Sequence, residues 1–170
     1  GHGATQPVDD GISIKIDLIE HKINPTMSDN TQKQTVTYRI SALELLNLEI
    51  KHPKQEQMDL NTFHFDLKLQ HRINAEKQLV FVITTINILD KDKSTQVGHV
   101  ETSCIYHVEN FSDYLGEDNQ VKFPDTFISE INAMAISTTR GIMFSEFKGT
   151  FLHKAVLPVF QNEQLQKEQK

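Results

Sequence analysis

The sequence predicts an α+β fold, in which a four-stranded antiparallel sheet is followed by C-terminal helices packed against it. Four segments between residues 36 and 108 alternate apolar and polar side chains or are apolar on both faces, as strands are. The connections between these segments are short, and short connections favour antiparallel neighbours. The stretch from Pro124 to Gly149 then carries the start and stop signals of helices.

The first strand is predicted to start near Val36 and to end before Pro53, which cannot donate a ladder hydrogen bond. By simple alternation, Leu43 and Leu45 fall on the face opposite to Tyr38. The strand therefore contains a bulge, or it is buried on both faces.

The next three strands differ in how their two faces are used. Residues 63–70 alternate strictly, which indicates one dry face and one wet face. Residues 79–89 begin apolar on both faces and are typical of a central strand. After a polar turn at residues 90–94, residues 99–108 form the fourth strand, with histidines and carboxylates on its wet face.

Two helices are predicted after one short turn. The turn covers residues 111–115 and is closed by a glycine. Pro124 suits the first turn of a helix that runs to about Ile131. A break is expected at residues 132–133. A second helix then runs over residues 136–148, with Gly149 at its C-terminal cap.

Composition restricts the function classes. The 170 residues suffice for one domain with a real core. A net charge of −6 without a basic cluster argues against nucleic acid as a partner. The apolar runs are too short for direct membrane insertion, and no secretory signal is visible. Cys104 is the single cysteine, which excludes an intrachain disulfide and favours a reducing, cytoplasmic setting.

Residues 1–26 differ in character from the sequence that follows. They begin with Gly-His-Gly, which resembles the remnant of a tag, and contain one alternating strand-like segment at residues 12–18. Met27 would make a natural initiator. Our hypothesis is that residues 4–26 are a fused or tethered peptide, of which residues 11–23 bind their own or a neighbouring subunit. The alternative is a native N-terminal strand followed by a linker.

No catalytic or metal-binding motif is present. The sequence has no nucleophile elbow, no P-loop and no dinucleotide-binding fingerprint. None of the eight histidines has zinc-ligand spacing with a third partner. We therefore predict no catalytic residue, no metal and no cofactor.

The segment after residue 130 is similar to the C-terminal half of SecB-family export chaperones. It contains an Asn-Ala pair at residues 132–133, then Arg140, and then Gly149 followed by Thr-Phe. Pro158 lies nine residues after that glycine, which is the family's spacing. The resemblance covers about Tyr38 to Phe160, within a chaperone domain at residues 27–160 that precedes a polar tail at residues 161–170.

The resemblance implies an ATP-independent chaperone, not an enzyme, that assembles as a homotetramer, a dimer of dimers with the long helices at its centre. Its clients would be unfolded polypeptides in protein export, or the tail of an unstable antitoxin in a toxin–antitoxin–chaperone system. The export ATPase SecA would be a further partner. The sequence departs from the family at two places. Residues 137–139 replace the family's aromatic motif, and residues 161–170 are not strongly acidic as the family's tail is. Both departures argue against docking on SecA.

A chaperone of this kind needs exposed apolar surface and adaptable side chains. Each aromatic or Met candidate has the alternative of lying in the core or in a subunit interface. Arg140 has the alternative of a helix-surface ion pair with Glu146 or Asp125. The predicted peptide-binding residues are Phe63, Phe65, Phe81, Tyr106, Met134, Met143, Phe144, Phe147 and Phe151, and those predicted to shape the groove or the oligomer are Arg140, Gly149 and Pro158.

Two other function classes stay open at this level. The first is a hotdog-type enzyme acting on an acyl thioester, which would need an acid facing a dimer cleft, and Glu130 is the candidate. The second is a non-catalytic structural module that buries its apolar face on assembly.

Overall fold

A five-stranded sheet carries one long helix in the computed structural model, which describes residues 35–52 and 61–160 together with the backbone of residues 13–16. The strand order is β1-β3-β4-β5-β2. All neighbours in the sheet are antiparallel except β1, which runs parallel to β3. The strands are β1 (Ser13–Ile16), β2 (Tyr38–Ile50), β3 (His64–Asn74), β4 (Leu79–Leu89) and β5 (Gln96–Val108), and the helix is α1 (Asp125–Glu146).

The predicted α+β class and the four antiparallel strands are confirmed. A bulge in β2, one of the two alternatives that the sequence offered, is confirmed, and a second irregularity lies further along the strand. Ile40 pairs with Tyr106, Leu43 with Cys104 and Leu45 with Thr102, so the partners follow each other at every second residue of β5. A register shift between Ile40 and Ala42 produces this pairing, and a second shift lies between Leu45 and Asn47. Leu43 and Leu45 therefore share the face of Ile40 instead of lying opposite to it.

The predicted break at residues 132–133 is wrong, because α1 continues through it. Asn132 is buried, and its side-chain oxygen lies 2.6 Å from Nε2 of His71 on β3. The amide is thus engaged with the sheet and does not compete for the helix backbone, which is the usual reason why Asn breaks helices. Burial lowers the pKa of His71, so the imidazole is neutral in this contact.

Apolar side chains of α1 and polar pairs together fix the helix on the sheet. Thr102 and Thr139 bring their hydroxyl oxygens within 2.7 Å, and the Thr139 hydroxyl lies 2.7 Å from the carbonyl oxygen of Ala135. The Tyr106 hydroxyl donates to the carbonyl of Ile131. Because such buried groups are costly when unpaired, these bonds favour one position of the helix. The buried apolar side chains of α1 are Phe127, Ile131, Ala135, Ile136 and Met143.

The chain beyond α1 turns back and is tied to the helix. Gly149 has φ +79°, as predicted for a C-terminal cap, and leads into the 3₁₀ turn Phe151–Lys154. Arg140 then donates from Nε to the carbonyl of Leu157 (2.6 Å) and from a terminal nitrogen to that of Pro158 (2.7 Å). No helix in the described part of the chain is long and apolar enough to cross a membrane.

Two glycines provide a matched test of this C-terminal geometry. Gly149→Ala should lower the free energy of unfolding by about 1–2 kcal/mol, because its φ is positive. Gly141→Ala should raise it by about 0.5–1 kcal/mol, since Gly141 lies inside α1 and an added Cβ meets nothing within 4 Å. Urea unfolding of both variants measures these changes. The reverse order of the two stabilities would contradict the assignment.

Candidate peptide-binding surface

The nine predicted peptide-binding side chains fall into three groups of exposure. Four are buried in the core, namely Phe65, Tyr106, Met143 and Phe147. Four are partly buried, namely Phe63, Phe81, Met134 and Phe151. Phe144 alone among the nine is well exposed, at 70%.

The four buried side chains offer no surface to a peptide in this structure. They lie in the core, which was the alternative to peptide binding for each of them. Phe81 lies on the sheet face away from the helix, because its neighbours on β4, Val80 and Val82, are the ones turned towards the core. Sequence could not separate these cases, since an aromatic residue has the same composition signal in a core and in a groove.

Among the described residues, the exposed large aliphatic side chains concentrate on β2, and they were not among the predicted residues. Ile40, Leu43, Leu45 and Leu46 are each between 42% and 51% exposed. Two features of the architecture cause this. The strand β2 is the last in the sheet order, and among elements of the described residues α1 has its main sheet contacts with β4 and β5. The signal in the sequence was the run of leucines that interrupts the strict alternation of apolar and polar residues in this strand.

One stripe of α1 lies close to the helix-side face of β2 and β5. Glu130 on this stripe acts on Tyr38 at the start of β2, and Thr138 acts on Cys104 on β5. Met134 lies one turn from each of these helix residues, on the same stripe, and is partly buried.

Two titratable groups on the helix side of β2 and β5, the Tyr38 hydroxyl and the Cys104 thiol, are held in their neutral forms. Burial, followed by the hydrogen bond to Glu130 and its negative charge, raises the pKa of Tyr38 to about 12. Burial also raises the pKa of the Cys104 thiol. A protonated, buried thiol is a poor nucleophile, so Cys104 acts here as a small core side chain.

At the opposite end of the sheet, the short edge strand β1 is paired with β3. The register joins Ser13 to Asp66 and Ile16 to Leu69, so β1 covers four of the eleven residues of β3. Its pairing is the only parallel one in the sheet formed by the described residues. Residues 70–74 of β3 have no strand partner on this side within the described ranges.

The sheet face away from α1 is divided into a polar and an apolar half. A row of residues paired across four strands contains Asp66, Asn87, His99 and Glu49. His99 bonds Asn87 through Nδ1 at 2.6 Å and lies 3.9 Å from Glu101 through Nε2. Within the part of the chain that the structure describes, no group of three His, Cys, Asp or Glu could hold a metal ion. The apolar half contains Phe81, Ile83 and Ile105.

Two other sequence candidates take positions that were not predicted. Glu130, the acid of the acyl-thioester alternative, is exposed and engaged by Tyr38. The guanidinium of Arg140 donates to two backbone carbonyls rather than to Glu146 or Asp125. These hydrogen bonds fix the backbone next to Leu157, whose side chain is buried. The role of Arg140 in a subunit contact stays a prediction.

Several solved structures are similar to this chain. No family model matches the chain, and no curated protein matches it. A SecB-like chaperone of Mycobacterium tuberculosis in complex with a ChAD peptide from an antitoxin is 8% identical, with a TM-score of 0.46, over 74% of this chain and 86% of that one. A protein of unknown function from Streptococcus agalactiae is 7% identical, with a TM-score of 0.34, over 68% of this chain and 90% of that one.

Proposed function

We propose that the chain is an ATP-independent chaperone that binds extended segments of unfolded or unstable polypeptides. The observation that carries this proposal is the pairing of β1 with the outer edge of β3. A segment remote in sequence is accepted there through main-chain pairing. Backbone pairing supplies affinity without demanding a particular sequence, which is what a binder of many clients requires.

The exposed strand β2 is proposed as the surface for a second copy of the chain. It offers thirteen residues of unpaired edge among the described strands and four exposed aliphatic side chains. Natural proteins protect such edges, and pairing two copies about a twofold axis covers both edges with one contact. The stripe of α1 that contains Met134 would take part in the same contact.

The outer face of α1 is proposed as the contact between such dimers. Ala133, Ser137 and Gly141 follow each other at four-residue spacing, and all three are exposed. Small side chains on one stripe allow another helix to approach closely. Together with the β2 contact, this would give the homotetramer that the sequence resemblance implies.

The biological role that we propose is the holding of clients before export or of an antitoxin before it folds. It takes place in the cytoplasm, requires no cofactor, and SecA is a partner only in the export case. No arrangement in the described site favours the acyl-thioester enzyme.

The test is the refolding of a chemically unfolded client diluted into an excess of the full chain without nucleotide. A chaperone that binds the unfolded client slows refolding about twofold when its free concentration equals the Kd, and more above it. We expect this delay, and the same delay after addition of ATP. Titration of the native client serves as the control and should show no binding. Refolding at an unchanged rate with the chain in large excess would reject the proposal.

A further inference from the structure

We propose that the β3 edge is an exchange site, from which the resident strand β1 departs and where a client segment takes its place parallel to β3. This inference rests on the proposed function and adds the location, the orientation and the regulation of client binding. It makes Ser13–Ile16 an intramolecular competitor of the client.

The first argument is the small extent of the resident pairing. The strand β1 has four residues, whereas β2 to β5 have eleven to thirteen. It is bound on one side only, and as an edge strand it can leave without opening any other pair in the sheet. Its tether raises its local concentration, so a client has to compete against an intramolecular ligand.

The second argument is that β3 extends beyond the resident strand. Pairing with β1 ends at Leu69, while β3 continues through Gln70 to Asn74. Ile73, in this extension, is 37% exposed. A client longer than four residues can pair with this extension first and then displace β1 residue by residue. It thereby gains contacts that the resident strand does not make.

The third argument is the alternation of environments along the edge. Ile14 and Ile16 are register partners of Leu67 and Leu69, which are buried on the helix side. The alternate positions, Ser13 and Lys15, are register partners of Asp66 and Lys68, which carry opposite charges. The edge therefore suits an extended peptide with aliphatic residues at alternate positions and no strong net charge.

A disulfide across the register tests the exchange directly. Lys15 and Lys68 are register partners, and Cα atoms of paired residues lie within the range that a disulfide spans. We expect the double variant Lys15→Cys, Lys68→Cys to form an intramolecular disulfide on oxidation. The native Cys104 does not compete because it is buried. The matched control is Lys15→Cys, Arg72→Cys, whose second position lies four residues further along β3, about 13 Å away.

Client binding is then measured on each protein before and after oxidation, with the refolding delay and with a labelled peptide of alternating Ile and Ser residues. The oxidised in-register variant should lose both activities, and reduction should restore them. The out-of-register control should form no intramolecular disulfide and should bind equally in both states. Circular dichroism checks that all variants remain folded.

The other outcomes separate the two proposals. Failure of the in-register pair to close, with the control closing instead, would overturn the location of the resident strand. Closure with client binding unchanged would overturn the exchange and leave the chaperone function standing. If the reduced variants and the unmodified chain all fail to delay refolding, the proposed function is wrong and the exchange inference falls with it.

Discussion

Replacing Leu43 and Leu45 together by Asp is expected to break the proposed β2–β2 contact, so that the folded chain no longer reaches the tetramer and sediments at half of its mass or less. Both side chains are about half exposed on β2, so their loss costs the isolated chain little stability. In a β2–β2 contact the same change removes four leucines and brings four carboxylates into one desolvated interface. Juxtaposed like charges cost several kcal/mol, so self-association should weaken by about 1,000-fold or more. Sedimentation velocity over a range of concentrations measures this.

A charge-matched variant on the same strand provides the control. Ser41→Asp with Asn47→Asp adds the same two negative charges at exposed positions without removing apolar surface. It should retain most of the self-association of the unchanged chain. If the unchanged chain is a monomer at micromolar concentration, or if both double variants behave alike, β2 is not the contact between copies.

The sequence predicted correctly those elements whose structure depends on neighbouring residues, and it failed where a residue distant in sequence decides the structure. The second predicted strand was found almost at its predicted place, because its alternation of Phe65, Leu67 and Leu69 with polar residues reflects one buried face. The broken helix was wrong because the partner that holds Asn132, His71, is 61 residues away in sequence. Propensity describes the neighbours of a residue along the chain, and a tertiary hydrogen bond outweighs it.

The candidate site was harder to predict than the fold. Aromatic residues were favoured for binding, yet the structure buries several of them and exposes the aliphatic residues of β2. Exposure of β2 depends on its place at the end of the sheet order and on where α1 crosses the sheet. Neither property is encoded in the alternation of a single strand. The partner of β1 is likewise a non-local choice, since β3 is separated from it by more than forty residues.

Phe147→Ala is expected to cost about 3–5 kcal/mol of stability, whereas Phe144→Ala should change it by no more than about 0.5 kcal/mol. The two residues lie three positions apart. Phe147 is 1% exposed within the core cluster, and Phe144 is 70% exposed. Removing the buried ring leaves a cavity between the end of α1 and the sheet, while removing the exposed ring leaves only solvent. Urea unfolding at neutral pH compares both variants with the unchanged chain.

The same pair decides whether Phe147 belongs to the core or to a peptide groove. If it is a core residue, Phe147→Ala should lose client binding only in proportion to the fraction unfolded, and conditions that keep the variant folded should restore binding in full. A direct peptide contact would instead weaken binding of the folded variant while its stability stays near that of the unchanged chain. Because Phe144→Ala leaves the fold intact, any loss of client binding in that variant reports on the surface itself. Equal losses of stability in the two variants would contradict the burial that separates them.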